Sequence, residues 1–132
     1  MEIKLTPQES EEYFYNALCN GLGYTTSGYG LSLDYSDKDY ADAVTKLRND
    51  NTKSLACFED VLMEMLRMGK TLTMVDEETD EDNTFTITLK EVHERVPNTP
   101  TRHLMNMINE NDDADTADVI IQTVFFNEIV FG

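Results

Sequence analysis

The chain has 132 residues, with 26 Asp and Glu against 10 Lys and Arg and a formal net charge of −16. That is well beyond the net charge of roughly 2 to 8 that keeps a small domain in solution; it excludes a surface that binds nucleic acid or anionic lipid and favours basic protein surfaces or cations. A hydrophobic fraction of 40% with six Tyr and six Phe excludes a wholly disordered acidic chain, and the length suits one domain with its own core.

Thr6-Pro7-Gln8-Glu9 reads as an N-cap, a proline at the first helical position and a capping-box glutamate. The helix it opens is expected to reach about Asn20 and to bury Phe14, Ala17 and Leu18. Gly21, Gly23, Gly28 and Gly30 then read as a loop, and Tyr29, Leu31, Leu33 and Tyr35 alternate as a strand. Ser36 to Asp39 is a second capping box, with Tyr40, Ala43, Val44 and Leu47 at helical spacing up to Asn49-Asp50-Asn51. A third helix is expected from Ser54 to Gly69, with Leu55, Phe58, Leu62, Met65 and Leu66 on its buried face.

A hairpin follows. Leu72 and Met74 alternate on its first arm, Phe85, Ile87 and Leu89 on its second, and Glu77 to Asn83 forms the turn. Thr88 to Glu91 caps a short helix that ends before Pro97, and Thr99-Pro100 opens another carrying Leu104, Met105 and Ile108. The last helix is expected from Asp115; β-branched residues between Val119 and Phe131 also suit a strand, but Gln122, Thr123 and Asn127 on one side favour a helix. The fold class is therefore α+β, a helix-rich single domain with a small three-stranded antiparallel sheet. The order helix, strand, helix, helix, hairpin over residues 7–89 is that of a winged helix-turn-helix, with three C-terminal helices appended.

A DNA-reading third helix needs Arg, Lys, Asn or Gln at base edges. This one offers Glu59, Asp60, Glu64 and a single Arg67, and the wing would carry Asp76, Glu77, Glu78, Asp80, Glu81 and Asp82. Phosphates would be repelled, so no direct nucleic-acid binding is expected. Met68-Gly69-Lys70-Thr71 resembles the end of a phosphate-binding loop, yet the required earlier glycine falls on Glu64 and the segment runs from helix to strand, the reverse of the motif. Gly21-Leu22-Gly23 puts Thr26 where a dinucleotide fingerprint needs its third glycine. Calcium-loop register also fails: counted from Asp76, positions six and twelve are Glu81 and Ile87, and from Asn109 they are Ala114 and Ile120.

Cys19 and Cys57 lie in apolar helical stretches and read as buried free thiols of a reducing cytoplasm. There is neither a signal-peptide pattern nor an apolar run near the ~18 residues of a membrane span, so a cytoplasmic protein without membrane contact is expected. His93, between Glu91 and Glu94, reads as an exposed, idle side chain, and neither it nor His103 has metal-ligand spacing. No catalytic residue, metal or cofactor is assigned, and an enzyme is not expected. Met63, Met65 and Met68 read as adaptable core filler. All six tyrosines fall in the first forty residues; Tyr29, Tyr35 and Tyr40 fit apolar positions, whereas Tyr15 and Tyr24 fit none and are expected at the surface, where tyrosine anchors partners.

Leu5 to Glu12, Cys19 to Tyr24 and Ala117 to Gly132 resemble segments of small acidic proteins of gut bacteria and their phages, a group without an assigned activity. The resemblance implies a phage or mobile-element accessory protein and assigns no site residue. The acids instead define one: Asp76, Glu77, Glu78, Asp80, Glu81 and Asp82 on the hairpin tip, with Glu110, Asp112, Asp113 and Asp115 before the last helix, are expected to occupy the basic surface of a host protein as a DNA mimic does, with Tyr15 and Tyr24 as anchors. The competing expectation is an assembly protein that forms a homo-oligomer through the N-terminal tyrosines or the apolar C-terminus Ile129-Val130-Phe131.

Overall fold

Thr6 caps the first helix as its sequence dictates: the Thr6 hydroxyl accepts from Glu9 N–H at 3.1 Å and Glu9 Oε1 accepts from Thr6 N–H at 2.9 Å. A computed structural model describes residues 3–50, 57–78 and 83–132. Among them are six helices and three strands: α1 (Pro7–Tyr29), β1 (Leu31–Asp34), α2 (Asp37–Asp50), α3 (Phe58–Arg67), β2 (Leu72–Asp76), β3 (Thr84–Ile87), α4 (Leu89–Arg95), α5 (Thr101–Ile108) and α6 (Ala114–Phe126), with a 3₁₀ turn Val96–Asn98 after α4. The sheet is antiparallel in the order β1-β2-β3, with Leu33 opposite Met74 and Met74 opposite Phe85. Ser54, Leu55, Asp80, Glu81 and Asp82 lie outside the described residues.

The expected loop at residues 21–30 is helix. α1 continues nine residues past Asn20 and ends on Gly30, whose φ of +67° is the left-handed C-cap conformation and whose N–H bonds to Thr26 O. Glycine inside a helix costs about 1 kcal/mol relative to alanine; Gly23 and Gly28 face open space, whereas the cost at Gly21 is offset by packing. A Cβ there would sit 2.6 Å from Ala117 Cβ, so the missing side chain is what lets α6 approach. Phe14 meets Phe125 at a ring separation of 6.3 Å while Gly21 meets Ala117, so the two helices run in opposite directions.

The expected strand shrinks accordingly: Tyr29 is the last residue of α1, and Tyr35 follows β1. Leu89 likewise leaves the second arm to begin α4, because Thr88 and Glu91 form the anticipated capping box. Phe14, Ala17, Leu18, Leu62, Met65 and Leu66 are buried as expected, and Met63 joins them, in one core shared by α1, α3, the sheet, α4, α5 and α6. Phe58 differs. It is 38% exposed and packs at a tilt against the stacked rings of Tyr35 and Tyr40 in an aromatic cluster joining α2 and α3. On α5 the buried methionine is Met107, and Met105 faces out.

The C-terminal segment is helical up to Phe126, and Asn127 closes it in the left-handed conformation. α6 starts at Ala114, one residue before expectation, because Asp113 is the residue whose carboxylate accepts Thr116 N–H at 2.9 Å. Gln122 and Thr123 are buried, contrary to a polar outer side. Gln122 serves the chain's own end: its Oε1 accepts the N–H groups of Val130 and Phe131, each at 2.9 Å. The element order over residues 7–89 is as expected, although α1 packs mainly along α6.

Candidate functional site

Net charge is segregated along the chain. Residues 5–37, 71–89 and 103–132 hold 17 of the 26 acids and no lysine or arginine; the rest of the sequence holds nine acids and all ten basic residues. The whole negative excess thus belongs to the segments that carry α1, the sheet with its hairpin turn, and α6 with its flanking residues, whereas residues 38–70, which include α3 and all of α2 but Asp37, are neutral. Ion pairs follow the same division except at Glu11. Among the described residues they join Lys38 to Asp42, Lys46 to Asp50 and Glu64, Arg67 to Glu11 and Glu64, Lys70 to Asp39, Lys90 to Glu94 and His93 to Glu11. None of these involves the hairpin-turn acids or Glu110, Asp112, Asp113 and Asp115.

Both acidic clusters are fastened to the second half of α1. Asp112 accepts a hydrogen bond from the Asn20 amide. At the other end Glu77 N–H donates to Gly30 O at 3.0 Å, Glu77 Oε1 accepts from Ser32 at 2.6 Å, and the Glu78 side chain lies over the bare Cα of Gly30. Ten helical residues separate the two anchor points, about 15 Å at 1.5 Å per residue. Tyr24 lies between them, 52% exposed, and its ring stacks edge-on against Tyr29 at 6.0 Å. Tyr29 in turn lies flat on Phe131 at 5.0 Å, next to the exposed Val130 and Ile129. The second half of α1 therefore presents an exposed ring between two groups of carboxylates.

Under this surface lies a buried carboxylate. Asp118 is 2% exposed and accepts from Thr25 Oγ1 at 2.7 Å, Tyr29 OH at 2.9 Å and Gln122 Nε2 at 2.9 Å. Three neutral donors replace a cation. Burial and the Asp118 carboxylate push the Tyr29 hydroxyl well above the ordinary phenol range.

The two clusters differ electrostatically. Asp113 caps α6 and Asp115 sits in its first turn, where the positive end of the helix dipole stabilises anions. Hydrogen bonding to Thr116 N–H holds the Asp113 carboxyl below the usual range. Glu77 and Glu78 instead lie at the C-terminal end of α1, which has no basic residue in its last turn, so their negative charge is repelled by the negative end of the helix dipole. Asp76 has a local task, accepting Glu78 N–H at 3.0 Å. Asp80, Glu81 and Asp82 lie outside the described residues.

Tyr15 is not on the Tyr24 surface. It is half-buried, and its hydroxyl lies 3.6 Å from Cys57 Sγ at the seam between α1 and α3. Tyr13, Tyr29, Tyr35 and Tyr40 also pack against the core, so Tyr24 alone of the six is exposed. Both cysteines are free as expected, but exposed. Residues passed over in the sequence meet along this seam: His93 Nε2 is 2.9 Å from Glu11 Oε2, and Arg67 Nε donates to Glu11 Oε1 at 2.9 Å. Although burial pushes the Glu11 carboxyl up, these hydrogen bonds bring it below its ordinary value. The spacing Glu11, Tyr15, Cys19 marks one face of α1, yet its partners on α3 and α4 are visible only once those helices are packed.

A cleft of about 390 Å³ between Ile3, Pro97 and Leu104 is lined without any acid, histidine or cysteine. No described group of three or more His, Cys, Asp or Glu side chains is placed to hold a metal ion, and no described helix is long and apolar enough to cross a membrane. No family model, curated protein or solved structure matches this chain.

Proposed function

We propose that this protein is a non-enzymatic interaction module of a phage or mobile element. Its acidic region occupies a basic surface of a host protein, as a DNA mimic does. The observation that carries this reading is the position of Glu77 and Glu78. They form no ion pair among the described residues and lie at the unfavourable end of a helix dipole, in a part of the chain devoid of lysine and arginine. Local electrostatic rules are broken in natural proteins chiefly where function requires it. The exposed Tyr24 ring between the clusters supplies the aromatic contact that most protein interfaces use, and complementary charge at its rim speeds association.

Affinity capture from a host lysate at low and high salt tests the reading, with wild type compared with the combined variant Glu77→Gln, Glu78→Gln, Glu110→Gln, Asp115→Asn. The same captured protein is expected to be lost at high salt, and the variant should bind it about tenfold more weakly or less tightly still. Capture that ignores both salt and the four substitutions refutes mimicry.

A second reading, self-assembly, is favoured by the neighbouring exposed side chains Ile129 and Val130, 48% and 50% accessible. It no longer draws on the N-terminal tyrosines as a group, since five of them pack against the core. Sedimentation at several protein concentrations separates the two, because assembly requires a concentration-dependent heavier species.

A further inference from the structure

We propose that Gln122 and Tyr29 form a peptide-binding slot for an extended segment of another protein that carries an aromatic residue followed by glycine. Residues 129–132 of this chain are its resident occupant, a strap which such a segment displaces. Asp118 builds the slot. A carboxylate only accepts hydrogen bonds, so Asp118 draws Gln122 Nε2 to itself at 2.9 Å and fixes which way the amide points. Gln122 is fully buried, and its Oε1 faces the strap, where it accepts from Val130 N–H and Phe131 N–H at 2.9 Å each; Nε2 also donates to Phe131 O at 3.2 Å. One side-chain amide thus reads the N–H and the C=O of a single residue, as a neighbouring strand would. Asp118 also holds the Tyr29 hydroxyl at 2.9 Å, and the ring so fixed lies flat on Phe131 at 5.0 Å, with Phe126 in a T-shaped contact at 6.0 Å on another side.

The strap shows what the slot selects. Ile129 and Val130 turn their side chains to solvent, 48% and 50% exposed, so neither position demands a particular side chain. Positions 130 and 131 must each supply an N–H, which excludes proline from both. Position 131 is half-buried between rings and calls for an aromatic side chain. At position 132 the φ of +87° and a Cβ that would lie 3.0 Å from the Tyr29 hydroxyl call for glycine. Once emptied, the slot leaves both acceptor sites of a buried oxygen without donors, an arrangement that favours refilling by the strap or by an incoming segment of the same form. Tyr24 packs edge-on against Tyr29 at 6.0 Å, so the slot adjoins the exposed ring between the acidic clusters, but nothing in its construction depends on their charge.

The test titrates a fluorescently labelled peptide, acetyl-Asn-Glu-Ile-Val-Phe-Gly-amide, into intact wild type and into intact Phe131→Ala, whose strap lacks its ring. The variant should bind at least about tenfold more tightly than wild type, because its own strap fills the slot for a smaller fraction of the time. Peptides with alanine in place of phenylalanine, or with a methyl group on the phenylalanine nitrogen that deletes its bond to Gln122, should each bind that variant at least about tenfold more weakly. These last changes lie in the ligand and leave the protein's fold untouched. A second measurement needs no substitution: in isotopically labelled wild type, saturating peptide should speed hydrogen exchange at the Val130 and Phe131 amides. Absence of binding, equal affinity for wild type and variant, indifference to N-methylation, or unchanged exchange at those two amides overturns the inference. Wild type that self-associates and is dissociated by the peptide gives the slot to a second copy of the chain and overturns a foreign occupant.

Discussion

The two acidic clusters on α1 have the same charge and opposite relations to the fold. Before α6, Asp113 and Asp115 sit at a helix start that needs anions, and Asp112 ties the turn to Asn20. At the hairpin, Glu77 and Glu78 face the negative end of α1, whose last turn has no basic residue, and form no ion pair among the described residues. The first cluster is explained by folding alone; the second is tolerated by folding. Acidic residues counted together in a sequence thus divide, once placed, into those the structure uses and those it merely carries.

The sharpest test of this division concerns an acid that folding uses most. Asp118→Ala should lower the unfolding free energy by about 3 kcal/mol in urea denaturation, because Thr25, Tyr29 and Gln122 would each lose a buried acceptor. A loss under 1 kcal/mol would show that the network is ornamental. A smaller effect is expected for Asp113, and it is pH-dependent. Its carboxyl is held below its usual value of 3.8 in the folded protein, so its contribution is complete above that value and is lost as pH falls through the lower, folded one. Urea midpoints of wild type and Asp113→Asn should therefore differ at pH 6 and converge in strong acid; a constant gap would remove the cap from the explanation. The smallest effect belongs to the hairpin. Glu77→Gln with Glu78→Gln should raise the melting temperature by about 1–3 °C, as relief of an adverse dipole contact implies. A fall instead would mean that these acids serve the fold after all and would weaken the argument for a partner.

Much of the fold was legible because its signals are local. Thr6, Thr88 and the period-two apolar residues of Leu72 to Ile87 fix their elements within a few residues of sequence. What escaped depends on partners far along the chain. Gly21 reads as a loop residue until Ala117 is seen to need the space, and Gln122 reads as a surface residue until the C-terminal backbone is seen to end on it. Tyr15 and the cysteines were misplaced for the same reason, since the face they share on α1 becomes a seam only when α3 lies against it. Of the candidate site, the acids and Tyr24 were readable from composition and periodicity. Their common attachment to α1 was not, because Asp112, Glu77 and Glu78 reach it from positions about 50 to 90 residues further along the chain.

The segregation of charge has a mechanical consequence. A uniformly charged sphere is pulled towards an opposite charge without being turned. A molecule whose neutral segment spans residues 38–70, and whose excess lies in segments free of lysine and arginine, has an electric dipole as well as a net charge. In the field of a positively charged body it experiences a torque, so within about a Debye length of 8–10 Å it rotates until its acidic side leads. Rotational search, which ordinarily limits how fast two proteins dock, would be shortened for a basic partner of the kind proposed before any atom has touched.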